Sequence, residues 1–167
     1  MSDDDIIRTT EKRENVPEWT ALFECVEFKD FFRTTYIANA ILTPTYEEVY
    51  KKFGVIRAEY QLLVCLAHLP EVTAQDVAAM SYKPRNSISR AVHRLQEQGY
   101  LNRVPDPNDG RQAKISITES GRALHDKIAK IAMEVESELF DVLTDKERLQ
   151  FQTLLQKLSM HASTIKR

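Results

Sequence analysis

The sequence predicts a mainly α fold carrying a small β-hairpin, on three observations. Apolar residues recur at helical steps along most of the 167 residues. Only four glycines and six prolines interrupt them, far fewer than in disordered or fibrous chains. One short stretch breaks the helical period: Ile115 and Ile117 alternate with Lys114, Ser116 and Thr118, the two-residue period of a half-buried strand.

Residues 1–15 are polar, charged and aperiodic and are expected to be disordered or frayed. From Pro17 a helical pattern begins, through Phe23, Val26, Phe31, Tyr36, Ile37 and Ile41. Thr43-Pro44-Thr45 is expected to kink or restart it, because proline lacks the N–H and its ring meets the preceding turn. Tyr46, Val49, Tyr50 and Phe53 carry the stripe on to Gly54. Arg57–His68 is predicted as a buried helix closed by Pro70. Thr73 and Asp76 form a variant capping box for a short helix ending near Met80.

After a turn at Ser81-Tyr82-Lys83, Pro84 suits the first turn of a further helix, Arg85 to Gln98, stopped at Gly99. Its apolar face is Ile88, Ala91, Val92 and Leu95, with Asn86, Ser87, Ser89, Arg90, His93 and Arg94 opposite. A short helix, a tight turn and a helix with a basic outer face make a helix-turn-helix. Strands around Tyr100–Val104 and Ile115–Ile117 then form a hairpin, or wing. From Glu119 the stripe Leu124, Ile128, Ile131, Val135, Leu139 and Val142 returns to the helical period, and Thr144 with Glu147 caps a last helix bearing Leu149, Leu154, Leu155 and Leu158.

The expected organisation is an acidic tail over 1–15, N-terminal dimerisation helices over 16–56, a winged helix-turn-helix lobe over 57–118 and C-terminal dimerisation helices over 119–167. The two helical ends carry more apolar surface than a small winged lobe could cover, so they are expected to pack together and against a second copy.

The net charge of −2 hides an uneven distribution. Residues 1–30 hold nine acids against four bases, whereas residues 83–114 hold seven bases against three acids. The second segment is the helix-turn-helix and hairpin, a basic footprint suited to nucleic acid. The longest apolar run, Leu62 to Leu69, is too short to span a bilayer, and the N-terminus has no signal-peptide pattern. Cys25 and Cys65 lack metal-like spacing and are expected as free thiols in the cytoplasm. His68, His93, His125 and His161 are too scattered for a metal site. There is no Gly-x-Ser-x-Gly, phosphate loop or His-Glu-x-x-His, so neither an enzyme nor a cofactor is expected.

PNDGRQAKISITESG and SISRAVHRLQEQGYL resemble the wing signature and the recognition helix of the MarR family of winged-helix transcriptional regulators. Asp109, Arg111, Thr118 and Gly121 stand in the signature places, and Ile117 replaces the usual leucine. The resemblance covers roughly residues 33–160. It implies a homodimer on a pseudo-palindromic double-stranded operator, with a recognition helix in each major groove and a wing in each flanking minor groove. A ligand or redox signal is implied to alter the spacing of the two lobes.

On this footing Ser87, Ser89 and Arg90 are the candidates for major-groove contact, Arg90 by a bidentate bond to guanine. Arg85 and Asn86 open the helix, where free N–H groups meet phosphate. Lys83 and Lys114 add phosphate contacts, and Arg94 faces either a phosphate or Glu97. Arg111 is the candidate minor-groove reader, and Asp109 the support that fixes the wing. An ordinary solvated helix face is the alternative for this basic set.

Family members commonly bind aromatic acids and phenols between the dimer helices and the winged lobe. Here Trp19, Phe23, Phe32, Tyr36 and His68 are candidates to line such a place, with Arg33 or Arg57 holding a carboxylate, against the plain alternative that the aromatics are core. The expected function is a repressor released by a small aromatic or phenolic ligand. The alternatives are a thiol-based redox sensor using Cys25, whose acidic neighbours argue against a reactive thiolate, and a winged-helix protein-interaction module.

Overall fold

The computed structural model describes residues 21–105 and 112–165. Ten elements follow in order: α1 Leu22–Cys25, α2 Lys29–Phe53, α3 Arg57–His68, β1 Val72–Thr73, α4 Ala74–Ser81, α5 Arg85–Glu97, β2 Leu101–Pro105, β3 Ala113–Ile117, α6 Glu119–Phe140 and α7 Asp145–Ala162. No helix among the described residues is long and apolar enough to cross a membrane. The chain divides into two compact units, Met1–Ala40 and Ile41–Arg167, a boundary that falls inside the segment expected as N-terminal dimerisation helices.

In the first unit an aromatic cluster joins α1 to the start of α2. Phe23 meets Phe32 at 5.7 Å and Tyr36 edge-on at 4.9 Å between ring centroids. Glu24 accepts a hydrogen bond from Arg33 and also faces Lys29. Phe31, expected within the apolar stripe, is 71% exposed.

Of the kink or restart expected at Pro44, the restart does not occur, since α2 runs through it as one helix. The proline ring is exposed, on the side where water can satisfy the carbonyl that lost its donor. The next residue, buried Thr45, returns its hydroxyl to the Ile41 carbonyl at 2.7 Å.

The core of the second unit is contributed by every element around the hairpin. Leu62, Leu63 and Leu66 of α3 meet Val77 of α4, Ile88, Ala91, Val92 and Leu95 of α5, Ile115 of β3, and Leu124 and Ile128 of α6. All four residues predicted as the inner face of α5 are buried. A buried leucine or isoleucine side chain contributes about 1.5–3 kcal/mol relative to an exposed one, so this shared face is what holds α5 to the body.

The sheet has three strands in the order β1-β3-β2, all antiparallel, with Val72 opposite Ile115 and Leu101 opposite Ile117. The hairpin β2–β3 matches the expectation; β1 is additional. Thr73 both pairs with Lys114 in the sheet and caps α4, its hydroxyl accepting from Asp76 N–H at 3.2 Å. Pro105 sits at the end of edge strand β2, a place where a missing donor costs no ladder bond. Gly54 and Gly99 take the left-handed backbone, at φ 66° and 74°, that terminates α2 and turns the chain out of α5.

The stripe is buried at Leu124, Ile128 and Ile131 of α6, whereas Val142, in the turn after the helix, is exposed. The last helix has no buried residue, and its Leu149, Leu154, Leu155 and Leu158 are all exposed in a single chain.

Candidate nucleic-acid interface

Helix α5, the expected recognition helix, is presented by its neighbours on both sides. At its entry α4 ends on Tyr82, whose φ of 52° makes it the one non-glycine residue in the left-handed region among the described residues. That conformation reverses the chain in a single residue, at a cost for a bulky side chain that glycine would avoid. Tyr82 is also 78% exposed. Pro84 stands immediately before α5 rather than inside its first turn, with its carbonyl accepting from Ser87 and Ile88 N–H. No side chain caps this end of the helix, in contrast to α4, α6 and α7, where threonine hydroxyls do so. The opening of α5 therefore presents its partial positive charge to solvent.

At its exit, Thr118 donates to the Gly99 carbonyl at 2.8 Å and accepts from Gly121 N–H at 3.1 Å. Ser120 donates to the same carbonyl at 2.9 Å. The signature residues Thr118 and Gly121 thus tie the turn after α5 to the start of α6.

Of the expected DNA-facing residues, Arg85, Asn86, Ser89 and Arg90 are exposed on the outer side of α5, and Ser87 is half-buried. Arg90 Nε donates to the Asn86 carbonyl at 3.3 Å, which lays the guanidinium along the outer face toward the helix start. Lys83 and Lys114 are half-buried, and Lys114 faces Glu71 across 3.1 Å. Arg94 has a partner other than the expected Glu97: its Nε lies 3.0 Å from Oε1 of Glu59 on α3. Asp109 and Arg111 lie outside the described residues, as does Trp19.

Sequence reasoning passed over part of this surface. Ser89, Val92 and His93 of α5 face Arg103 of β2, Gln112 before β3, and Thr73 to Gln75 across a cleft of about 230 Å³. Arg103 belongs to the basic run, but nothing local in the sequence shows that an edge strand brings it beside α5.

The expected ligand residues fall into separate settings. Phe23, Phe32 and Tyr36 pack on one another within the first unit, and Arg33 there is already paired with Glu24. In the second unit Arg57 lies over the Tyr46 ring at 5.0 Å, and His68 meets His125 edge-on at 5.5 Å. Arg57 and His68 open and close α3, which separates their backbones by roughly 16 Å at helical rise. Tyr46 and Tyr60 hold their phenol protons more tightly than usual, chiefly because both are half-buried. Cys25 is exposed, whereas burial pushes the Cys65 thiol up. Among the described residues no three His, Cys, Asp or Glu side chains group as a metal site.

Known proteins are similar to this chain in sequence and fold. The MarR family model matches residues 53–112. An uncharacterized HTH-type transcriptional regulator of Bacillus cereus is 27% identical over 116 residues, 69% of this chain and 77% of its own. The HTH-type transcriptional repressor IacR of Pseudomonas putida is 22% identical over 123 residues, 74% of each chain. Among solved structures, a MarR-family regulator from Rhodococcus sp. RHA1 superposes with a TM-score of 0.71 at 24% identity, covering 81% of this chain and 96% of that one. A mutant MarR from E. coli complexed with operator DNA gives 0.61 at 18%, over 80% and 98% of the two chains. NadR in complex with 4-hydroxyphenylacetate gives 0.65 at 21%, over 77% and 90%. With its hairpin beside the uncapped, basic helix α5, the chain is similar in fold to these winged-helix proteins, and its residues 53–112 match the MarR family model.

Proposed function

We propose that this chain is a cytoplasmic repressor that binds a pseudo-palindromic operator as a homodimer and is released by a small aromatic or phenolic acid. The observation that carries the DNA reading is the outer face of α5, where Asn86, Ser89 and Arg90 surround an uncapped helix start. In this reading Ser87, Ser89 and Arg90 read base edges in the major groove, and Arg85, Asn86, Lys83 and Lys114 hold phosphates. Arg111 enters the minor groove from the wing, supported by Asp109.

Support for the homodimer comes from the exposed Leu149, Leu154, Leu155 and Leu158 of α7, too many apolar side chains on one helix to be left in water. In such a dimer the N-terminal segment 16–56 and the C-terminal segment 119–167 carry the interface and 57–118 carries the DNA lobe. Ligand release is supported by the similarity to NadR, whose structure holds 4-hydroxyphenylacetate. Phe23, Phe32 and Tyr36, which pack on one another within the first unit, are proposed to receive the ring, with Arg33 of the same unit as the candidate for its carboxylate.

A gel shift with the DNA upstream of the chain's own gene tests the reading, with and without added aromatic acids. A retarded complex that survives competitor DNA and dissolves on adding one of the acids is the expected result. Absence of a specific complex at modest salt would defeat the repressor reading.

A further inference from the structure

Glu59 is an unusual residue for the middle of a hydrophobic lobe. Its exposure is 0%, and it stands next to the core residues of α3. One carboxylate oxygen, Oε2, accepts the Ile56 N–H at 2.9 Å and so caps α3. The other, Oε1, is buried, lacks an aligned hydrogen bond, and has Arg94 Nε of the recognition helix 3.0 Å away. The contact is thus an ion pair by distance rather than a well-directed hydrogen bond. An ionised carboxylate this deep needs a counter-charge, since burying it alone costs far more than either helix could recover by packing.

The same turn of α3 is gripped from the other side. Arg57, two residues before Glu59, lies over the ring of Tyr46 on α2, and Tyr60, the residue after Glu59, meets that ring edge-on at 5.8 Å. One helical turn therefore holds α2 by an edge-on aromatic contact and a cation over a ring, and α5 by a charge.

We infer that Arg94 is a positioning residue: its pairing with Glu59 fixes the pose of the recognition helix relative to the first turn of α3, and it does not read DNA itself. This rests on the reading of α5 as the DNA-recognition helix. It replaces a direct contact expected of Arg94 with an internal one, and it gives the first turn of α3 a means of influencing how Ser89 and Arg90 meet a base pair.

The test is a double-mutant cycle in the full chain with Glu59→Gln, Arg94→Gln and both together. Binding to a selected specific duplex and to a scrambled duplex is measured across a salt series, well below the melting temperature of every variant. Gln at position 59 keeps an oxygen for the Ile56 N–H and removes only the charge. Each single variant is expected to lose on the order of tenfold in specific affinity, with scrambled-duplex binding and salt slope unchanged and the double variant no worse than either single. A phosphate contact by Arg94 would instead lower the salt slope by about one in Arg94→Gln and leave Glu59→Gln at wild-type affinity, overturning the inference. Additive losses would overturn it as well.

If the wild-type chain selects no duplex, the DNA reading itself fails, and amide hydrogen exchange then judges the ion pair separately. Faster exchange confined to residues 85–97 in Glu59→Gln supports the positioning role. Unchanged exchange, or a uniform increase across the lobe, contradicts it.

Discussion

Gly121 approaches Tyr100 so closely that a methyl group has no room between them. A Cβ built on Gly121 would lie 2.0 Å from the Tyr100 carbonyl oxygen and 2.9 Å from Cγ1 of Ile117. The obstacle is backbone, which cannot rotate aside. The contact lies where the chain leaves α5 and where β3 hands over to α6.

Gly121→Ala is accordingly expected to destabilise the chain by about 1–3 kcal/mol, in the manner of an overpacked core. Urea unfolding measures this directly. A midpoint equal to the wild type would show that the start of α6 can shift without loss.

The capping boxes make a prediction about acid. Hydrogen bonds from Thr73 backbone and hydroxyl hold the Asp76 carboxyl below its usual range, and Thr144 does the same for Glu147. A group whose folded pKa is depressed contributes stability above its unfolded pKa and loses it as pH falls through the folded value. Thr73→Ala is expected to cost about 1 kcal/mol near pH 7. The gap between its melting temperature and that of the wild type should narrow as the pH is lowered from 5 toward 3. A gap constant over that range would mean that the Asp76 carboxylate contributes nothing to the cap.

The two thiols separate the ligand reading from the redox alternative. Cys25 is exposed, while Cys65 is half-buried with a thiol that burial keeps protonated. A maleimide at neutral pH is expected to label Cys25 first and Cys65 slowly, and Cys25→Ser should leave both DNA binding and ligand release intact. Release of DNA by peroxide in the wild type but not in Cys25→Ser would favour the redox sensor instead.

The exposed face of α7 bears on assembly. Leu158 is 65% exposed, and Leu154 and Leu155 lie on the same helix. Leu155→Glu with Leu158→Glu is expected to shift sedimentation toward a single chain and to abolish tight operator binding. A variant that still sediments as a dimer would move the interface elsewhere.

What could be read from the sequence was what is decided locally. The inner face of α5 announces itself at Ile88, Ala91, Val92 and Leu95 because a helix face repeats within four residues, and Thr73 and Thr144 announce their caps within three. Pro44 does not end α2 because its ring is exposed, where water can reach the Ala40 carbonyl that lost its donor. Strand β1 is two residues long and exists only because β3 lies beside it, so no periodicity could reveal it. The partner of Arg94 lies 35 positions earlier in the chain, and only the packing of α3 against α5 brings Glu59 to it. Arg103 reaches the edge of α5 by the same non-local route.

The central claim is that α5 reads sequence. It is tested most directly by anisotropy titration of the chain against a palindromic duplex selected from a random pool and against a scrambled one, near physiological salt, with Arg90→Ala in parallel. The account predicts that the wild type prefers the selected duplex by on the order of a thousandfold, with two chains per duplex. It also predicts that Arg90→Ala costs about 1–3 kcal/mol on the selected duplex, with little change on the scrambled one. Equal affinity of the wild type for both duplexes would contradict it.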